Sequence, residues 1–202
     1  MNRSYVGATS AVLAVLIGGA ALWTTMTEET TCGGNAIAGG NVAIGGPFEL
    51  LNGAGELVTD EEVIDGPALV YFGYTFCPDV CPTTLAETTA WRQALGLNED
   101  DLRIIFVTVD PERDTPAVLQ QYLTAFSGPI VGLTGSVEAI EGVKSAFGAV
   151  SEKSDMQSDS DYLVNHTASV FMIDAQGNLF GTIAFGENSD TARAKIERMV
   201  SG

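Results

Sequence analysis

Between Ala68 and Val200 the chain alternates two hydrophobic rhythms. "ALVYFGY" (68–74) and "LRIIFVTVD" (102–110) are nearly unbroken runs of β-branched and aromatic residues, the pattern of strands buried on both faces of a sheet. Between them "PTTLAETTAWRQALG" (82–96) places Leu85, Thr88 or Thr89, Arg92 and Leu95 at helical spacing and ends at Gly96, a helix with a stop signal. Strand, helix and strand in this order predict a βαβ unit, whose crossover is right-handed almost without exception.

"TPAVLQQYLTAF" (115–126) predicts a second helix, opened by Asp114 or Thr115 as N-cap with Pro116 at the first helical position. "PIVGL" (129–133) predicts a strand and "SVEAIEGVKSAFG" (136–148) a further helix, followed by a polar loop, "SEKSDMQSDSD" (151–161). "ASVFMIDAQGNLFGTIAF" (168–185) then reads as two strands joined by a turn at Ala175–Asn178. A closing helix, Thr191–Val200, carries Ile196, Met199 and Val200 on one side. Parallel βαβ units followed by an antiparallel hairpin and a last helix predict a thioredoxin-like α/β domain. At 202 residues the chain holds one such domain and appendages.

The first appendage is a stretch from Ser4 to Thr27 without a charged side chain, in which Val12–Leu22 is apolar or small throughout. That is long enough for a transmembrane helix. Arg3 precedes it, Glu28 and Glu29 follow it, and Tyr5 and Trp23 stand where interfacial aromatics are favoured. Residues 1–27 are therefore expected to be a single-pass anchor in a bacterial inner membrane, with the N-terminus in the cytoplasm and the folded part in the periplasm. A cleaved signal peptide would share the basic start and the apolar core, but this uncharged run is longer than a usual signal core and no small-x-small site stands out before the acidic segment. "EETTC" lacks the leucine and small residues of a lipoprotein signal, so Cys32 reads as an incidental thiol. Residues 28–45, rich in Gly, Ala and Asn, predict a flexible tether, and 46–202 the folded domain. With 9 basic and 26 acidic residues the net charge is −17. Such a chain repels nucleic acid and anionic lipid rather than binding them.

Candidate chemistry centres on "FCPDVCP" (76–82), which holds two of the three cysteines, Cys77 and Cys81. Pro82 suits the first turn of a helix, so both thiols are expected where the strand over 68–74 hands over to that helix, at the strand's carboxyl end, where open α/β sheets gather ligands. A helix N-terminus lowers a nearby thiol's pKa, so both are expected to be thiolate-prone. Three intervening residues allow a disulfide or two ligands of one ion. An inert structural staple is the competing reading, but a loop this short contributes little through chain entropy. The chain's one histidine, His166, precedes a strand expected beside the strand that feeds Cys77. Read from spacing, it is as readily an ordinary surface or core residue as a ligand. Two thiolates and one imidazole favour Cu(I), whereas Zn(II) normally takes a fourth ligand.

Taken together, "YFGYTFCPDVCPTTL", "VTVDPERDTP" and "DYLVNHTASVFMID", with "GGPFELLNGAGELVTDE" ahead of them, resemble the signatures of the Sco/SenC proteins from about Gly45 to the C-terminus. The resemblance implies a membrane-anchored, thioredoxin-like copper metallochaperone, carrying Cu(I) or Cu(II). Its implied partner is cytochrome c oxidase subunit II, whose binuclear copper centre it helps to assemble, alongside other periplasmic copper chaperones and a thioredoxin-like reductant. It implies Cys77, Cys81 and His166 as copper ligands, and Cys77 with Cys81 as a redox disulfide. Asp79, Asp110, Asp114, Asp161 and Tyr162 match the family's motifs around these ligands. Asp79 also reads as a helix cap, and "DPERDTP" equally as a turn plus cap. Asp161 and Tyr162 are expected to shape the loop of His166. One departure is Phe76, where family members often have a histidine before the first cysteine. Of the five methionines, Met172, Met199 and Met26 read as packing or anchor residues, leaving Met156 as a remote soft ligand.

Two other functions use the same residues. A protein-disulfide reductase would need only the cysteines, although such enzymes usually have two residues between them and a cis-proline opposite, and no proline follows Pro129 here. A thiol peroxidase would need only one activated cysteine.

Overall fold

The computed structural model describes residues 44–158 and 161–202. The anchor expected over 1–27, with Met26, and the tether through residue 43, with Cys32, lie outside the described residues, as do the side chains of residues 155–158 and 161. Among the described residues no helix is long and apolar enough to cross a membrane.

In chain order the elements are β1 (Glu49–Asn52), β2 (Leu57–Thr59), α1 (Asp60–Val63), β3 (Ala68–Gly73), α2 (Val80–Ala94), β4 (Arg103–Thr108), α3 (Pro116–Leu123), β5 (Val131–Thr134), α4 (Val137–Phe147), β6 (Ser151–Ser158), β7 (Asp161–His166), β8 (Val170–Ile173), β9 (Leu179–Ile183) and α5 (Ser189–Val200). Seven strands form one mixed sheet in the order β2-β1-β5-β4-β3-β8-β9. Its centre, β3, β4 and β5, is parallel, and β8 runs antiparallel to β3 with Tyr71 opposite Val170. All six residues of β3 are buried, as its unbroken apolar run requires of a strand covered on both faces. This is the expected thioredoxin-like mixed α/β arrangement.

Local signals set most boundaries. α2 starts at Val80, two residues before the expected Pro82, so Cys81 lies in its first turn. Thr115, not Asp114, caps α3: its hydroxyl accepts from Val118 N at 3.4 Å. Ser136 caps α4, and Gly148, at φ 66°, ends it in the left-handed region that glycine enters without strain. The expected polar loop over 151–161 is instead mostly strand: β6 pairs antiparallel with β7 in a separate two-stranded sheet. β6 has no apolar alternation to betray it, because it forms by backbone pairing with β7. In β7 the alternation is present, with Tyr162 and Val164 buried and Leu163 and Asn165 exposed. The hairpin ends on His166.

Two contacts fix the chain as it leaves β3. A Cβ placed on Gly73 would lie 2.9 Å from Cys81 Sγ and 2.7 Å from Phe106 Cε2, so only glycine lets the first turn of α2 approach this closely. Beyond it, the fully buried Asp114 accepts from Thr75 N at 3.0 Å, Thr75 Oγ1 at 2.6 Å and Thr108 Oγ1 at 2.6 Å. It clamps the loop after β3 to the end of β4. Burial pushes its carboxyl above the usual range, against the pull of these hydrogen bonds.

Asp114→Ala strands buried donors and is expected to cost roughly 3 kcal/mol in urea unfolding. Gly73→Ala overpacks the same corner and is expected to cost about 1–3 kcal/mol. An unchanged unfolding midpoint for either variant would contradict the role given to that residue.

Candidate metal centre

The two cysteines and the histidine, far apart in sequence, converge at the carboxyl end of β3. One ligand-capable atom from each of Cys77, Cys81 and His166 lies within 4.8 Å of the others. Cys81 is fully buried, Cys77 and His166 are partly exposed, and both thiols are free. Cys81 N, in the first turn of α2, donates to Cys77 Sγ at 3.4 Å. His166 Nε2 lies 3.3 Å from Cys81 Sγ, and Nδ1 lies 3.0 Å from Thr167 O. A carbonyl oxygen can only accept, so Nδ1 carries the proton and the Nε2 lone pair faces the sulfurs. Tyr71 and Tyr74 hold the imidazole edge-on, with ring centroids 6.0 and 5.8 Å away.

For Cys81, burial corrects the expectation that the helix terminus makes the thiol thiolate-prone. Loss of solvent pushes the Cys81 thiol up to about 12, although a hydrogen bond from the Tyr74 backbone pulls the other way. Desolvation outweighs the partial charge of the helix end here because Cys81 is sealed from water. Burial also pulls His166 below its ordinary value, against the hydrogen bonds to the Thr167 and Phe72 backbone, and keeps the imidazole neutral near pH 7. Two sulfurs and one neutral imidazole nitrogen suit a soft metal ion. With the sulfurs this close, the same residues can also close into a disulfide.

Asp110, Arg113 and Tyr162 join the cysteine loop to the histidine strand. Tyr162 Oη donates to Asp110 Oδ1 at 2.7 Å, Arg113 Nε donates to Asp110 Oδ2, and Arg113 donates to Tyr162 O at 3.0 Å. The guanidinium stacks over the Tyr162 ring at 3.7 Å and the Phe76 ring at 4.8 Å. Phe76, 56% exposed beside Cys77, thus extends an aromatic platform, and Tyr162 ties the strand ending at His166 to Asp110 and Arg113. The turn and cap read from "DPERDTP" are both present, with Asp110 O accepting from Arg113 N and Asp114 N and Thr115 capping α3, and the carboxylates of Asp110 and Asp114 serve in addition this network and the clamp on Thr75. Asp79 occupies the N-cap position of α2 but its side chain makes no capping hydrogen bond. The side chains of Asp161 and Met156 lie outside the described residues, and Met172 and Met199 are core residues, as expected. Sequence reasoning passed over Arg113, Tyr71 and Gly73. Arg113 stood in a motif that a turn already explained, and the other two looked like ordinary strand residues.

Comparison with known proteins agrees with this arrangement. The profile described as SCO1/SenC matches residues 38–201. A "SCO2-like protein" of Rickettsia felis is 37% identical over 171 residues, covering 82% of this chain and 83% of the relative. Among solved structures, Bradyrhizobium japonicum ScoI with copper bound is 38% identical with a TM-score of 0.70, covering 78% of this chain and 99% of that one. Yeast Sco1 with copper bound is 30% identical with a TM-score of 0.71, covering 79% and 90%. On the strength of a match spanning the whole described fold, the chain belongs to the SCO1/SenC family.

Proposed function

We propose that this chain is a copper metallochaperone that holds copper through Cys77 Sγ, Cys81 Sγ and His166 Nε2. It delivers the ion to the binuclear copper centre of cytochrome c oxidase subunit II. The observation that carries the reading is the convergence of these three atoms within 4.8 Å, with the imidazole tautomer leaving Nε2 free to bind. Three soft or borderline donors without oxygen fit Cu(I), while Zn(II) would lack its fourth ligand and Ca or Mg its oxygens. The copper-bound relatives at 38% and 30% identity support the same choice. Partial exposure of Cys77 beside a buried Cys81 suits transfer by ligand exchange: a partner's ligand can displace the outer sulfur while the inner one still holds the ion. Residues 1–27 would anchor the chain in the inner membrane and 28–45 tether the domain, 46–202, in the periplasm, where other copper chaperones and a thioredoxin-like reductant would load it and keep its thiols reduced.

The same asymmetry of exposure favours a second reading, reduction of the cysteines of subunit II. Cys77 would attack the partner's disulfide and Cys81 would resolve the mixed disulfide. The two thiols would end as a Cys77–Cys81 disulfide and the partner as two thiols, with the two electrons passing between them.

Copper titration of the reduced full-length chain against a competing Cu(I) chelator separates the readings. His166→Ala is expected to weaken Cu(I) binding by on the order of 100-fold, since even partners outside the ligand set typically cost 10–100-fold, while the Cys77–Cys81 disulfide still forms. Equal affinity would overturn the ligand assignment, and undiminished reduction of a partner disulfide by this variant would favour the second reading. Because burial holds Cys81 protonated up to about 12 and His166 deprotonated above its ordinary 6.5, binding displaces thiol but not imidazolium protons. Apparent affinity should therefore rise about ten-fold per pH unit for the Cys81 proton, from neutral pH up toward about 12. A flat profile would contradict the buried-thiol account.

A further inference from the structure

Tyr71 is sealed beneath the metal centre. It is the fourth residue of β3, fully buried, with its ring edge-on to His166 at 6.0 Å. Its hydroxyl is buried and makes no hydrogen bond. Buried tyrosine hydroxyls ordinarily find a partner, because leaving one unpaired costs about 1–3 kcal/mol. Phenylalanine serves at the neighbouring core positions 72 and 106, so packing alone does not call for a phenol here.

The hydroxyl's surroundings show what it faces. A Cβ placed on Gly73 would lie 3.1 Å from Tyr71 Cε1 and 2.9 Å from Cys81 Sγ, so the edge of the phenol and the buried sulfur converge over the same glycine. Cys81 and Thr84 are polar side chains with which its hydroxyl can pair, and pairing with the Cys81 sulfur favours the neutral phenol, which is the donor. The Thr84 hydroxyl already donates to Val80 O at 2.8 Å and has only its acceptor side to offer. A neutral thiol is a weak acceptor, whereas a metal-bound thiolate is a strong one. The orphaned donor therefore lies beside an atom that becomes an acceptor when the site is loaded.

We propose that the Tyr71 hydroxyl donates a hydrogen bond to Cys81 Sγ when that sulfur binds copper, making Tyr71 a positioning residue that favours the loaded state. This inference rests on the copper-binding reading of Cys77, Cys81 and His166. Cys81 is shut off from water, so only protein donors can satisfy the charge its sulfur carries in the complex, and the Tyr71 hydroxyl joins the Tyr74 backbone in doing so. The same bond tunes the metal: a hydrogen bond to a copper-bound sulfur withdraws electron density from it and stabilises Cu(I) relative to Cu(II).

The test compares the full-length wild type, Tyr71→Phe and Tyr122→Phe. Tyr122 is the control because its hydroxyl is also buried without a hydrogen bond and no sulfur is its hydrogen-bond partner. Cu(I) affinity is read by chelator competition, the thiolate-to-copper charge-transfer band on the Cu(II)-loaded chain, and thermal unfolding on the metal-free reduced chain. Tyr71→Phe should weaken Cu(I) binding about ten-fold, the loss of one hydrogen bond to a charged acceptor. It should move the band to lower energy, because an unbonded sulfur is easier to oxidise, and leave the metal-free unfolding temperature unchanged or raised. Tyr122→Phe should match wild type in affinity and band position. Wild-type affinity with an unshifted band in Tyr71→Phe would overturn the inference, as would a lowered metal-free unfolding temperature, which would mean the hydroxyl is already bonded. Equal effects of the two variants would overturn it too. Failure of the wild type to bind copper would instead remove the reading on which the inference stands, and the inference with it.

Discussion

The antiparallel register of β3 and β8 is the constraint on which the site depends. With Tyr71 opposite Val170, the chain entering β8 must pass the carboxyl end of β3, where β7 delivers His166 beside the first turn of α2. Without this long-range pairing the imidazole, 85 positions after Cys81, would have no reason to lie near either sulfur. Burial of all of β3 makes the register costly to change, since a slip of one residue would exchange the side chains packed on its two covered faces and move Gly73 out of the corner where only glycine fits. The metal centre is thus assembled by the core of the sheet, and the loops only complete it.

Around this fixed point the protein holds the loop after β3 from two sides. Asp114 ties Thr75 to the end of β4, and Arg113 lies between Phe76 on the cysteine loop and Tyr162 on the histidine strand. Both residues come from the short turn after β4, so one segment positions both halves of the centre. Burial then separates the two sulfurs in character: Cys81 is sealed and held as a thiol, while Cys77 meets solvent and accepts the Cys81 amide. The proposed transfer of copper would use this difference, the inner sulfur staying on the ion while the outer one exchanges.

Much of this was legible in the chain. The unbroken apolar runs of β3 and β4, the caps at Thr115 and Ser136, and the glycine ending α4 carry their signals locally, whereas spacing left His166 open and only the family resemblance set it beside Cys77 and Cys81, the two residues it meets in the fold. The β6–β7 hairpin was hidden because Ser151–Ser158 is polar and owes its extended form to backbone pairing. Gly73 and Tyr71 were hidden because their importance lies in what approaches them from α2, and no local pattern records that. The direction of the Cys81 shift was misread for a related reason: sequence placed the thiol at a helix end, while only packing reveals how completely that end is buried.

The account's central claim is a copper site of two sulfurs and one imidazole nitrogen. X-ray absorption at the copper edge, on the reduced full-length chain loaded with one equivalent of Cu(I), tests it most directly. The account predicts a first shell of two sulfur neighbours and one nitrogen, with the outer-shell scattering of a single imidazole. A shell of sulfur alone, or one without imidazole scattering, would contradict it.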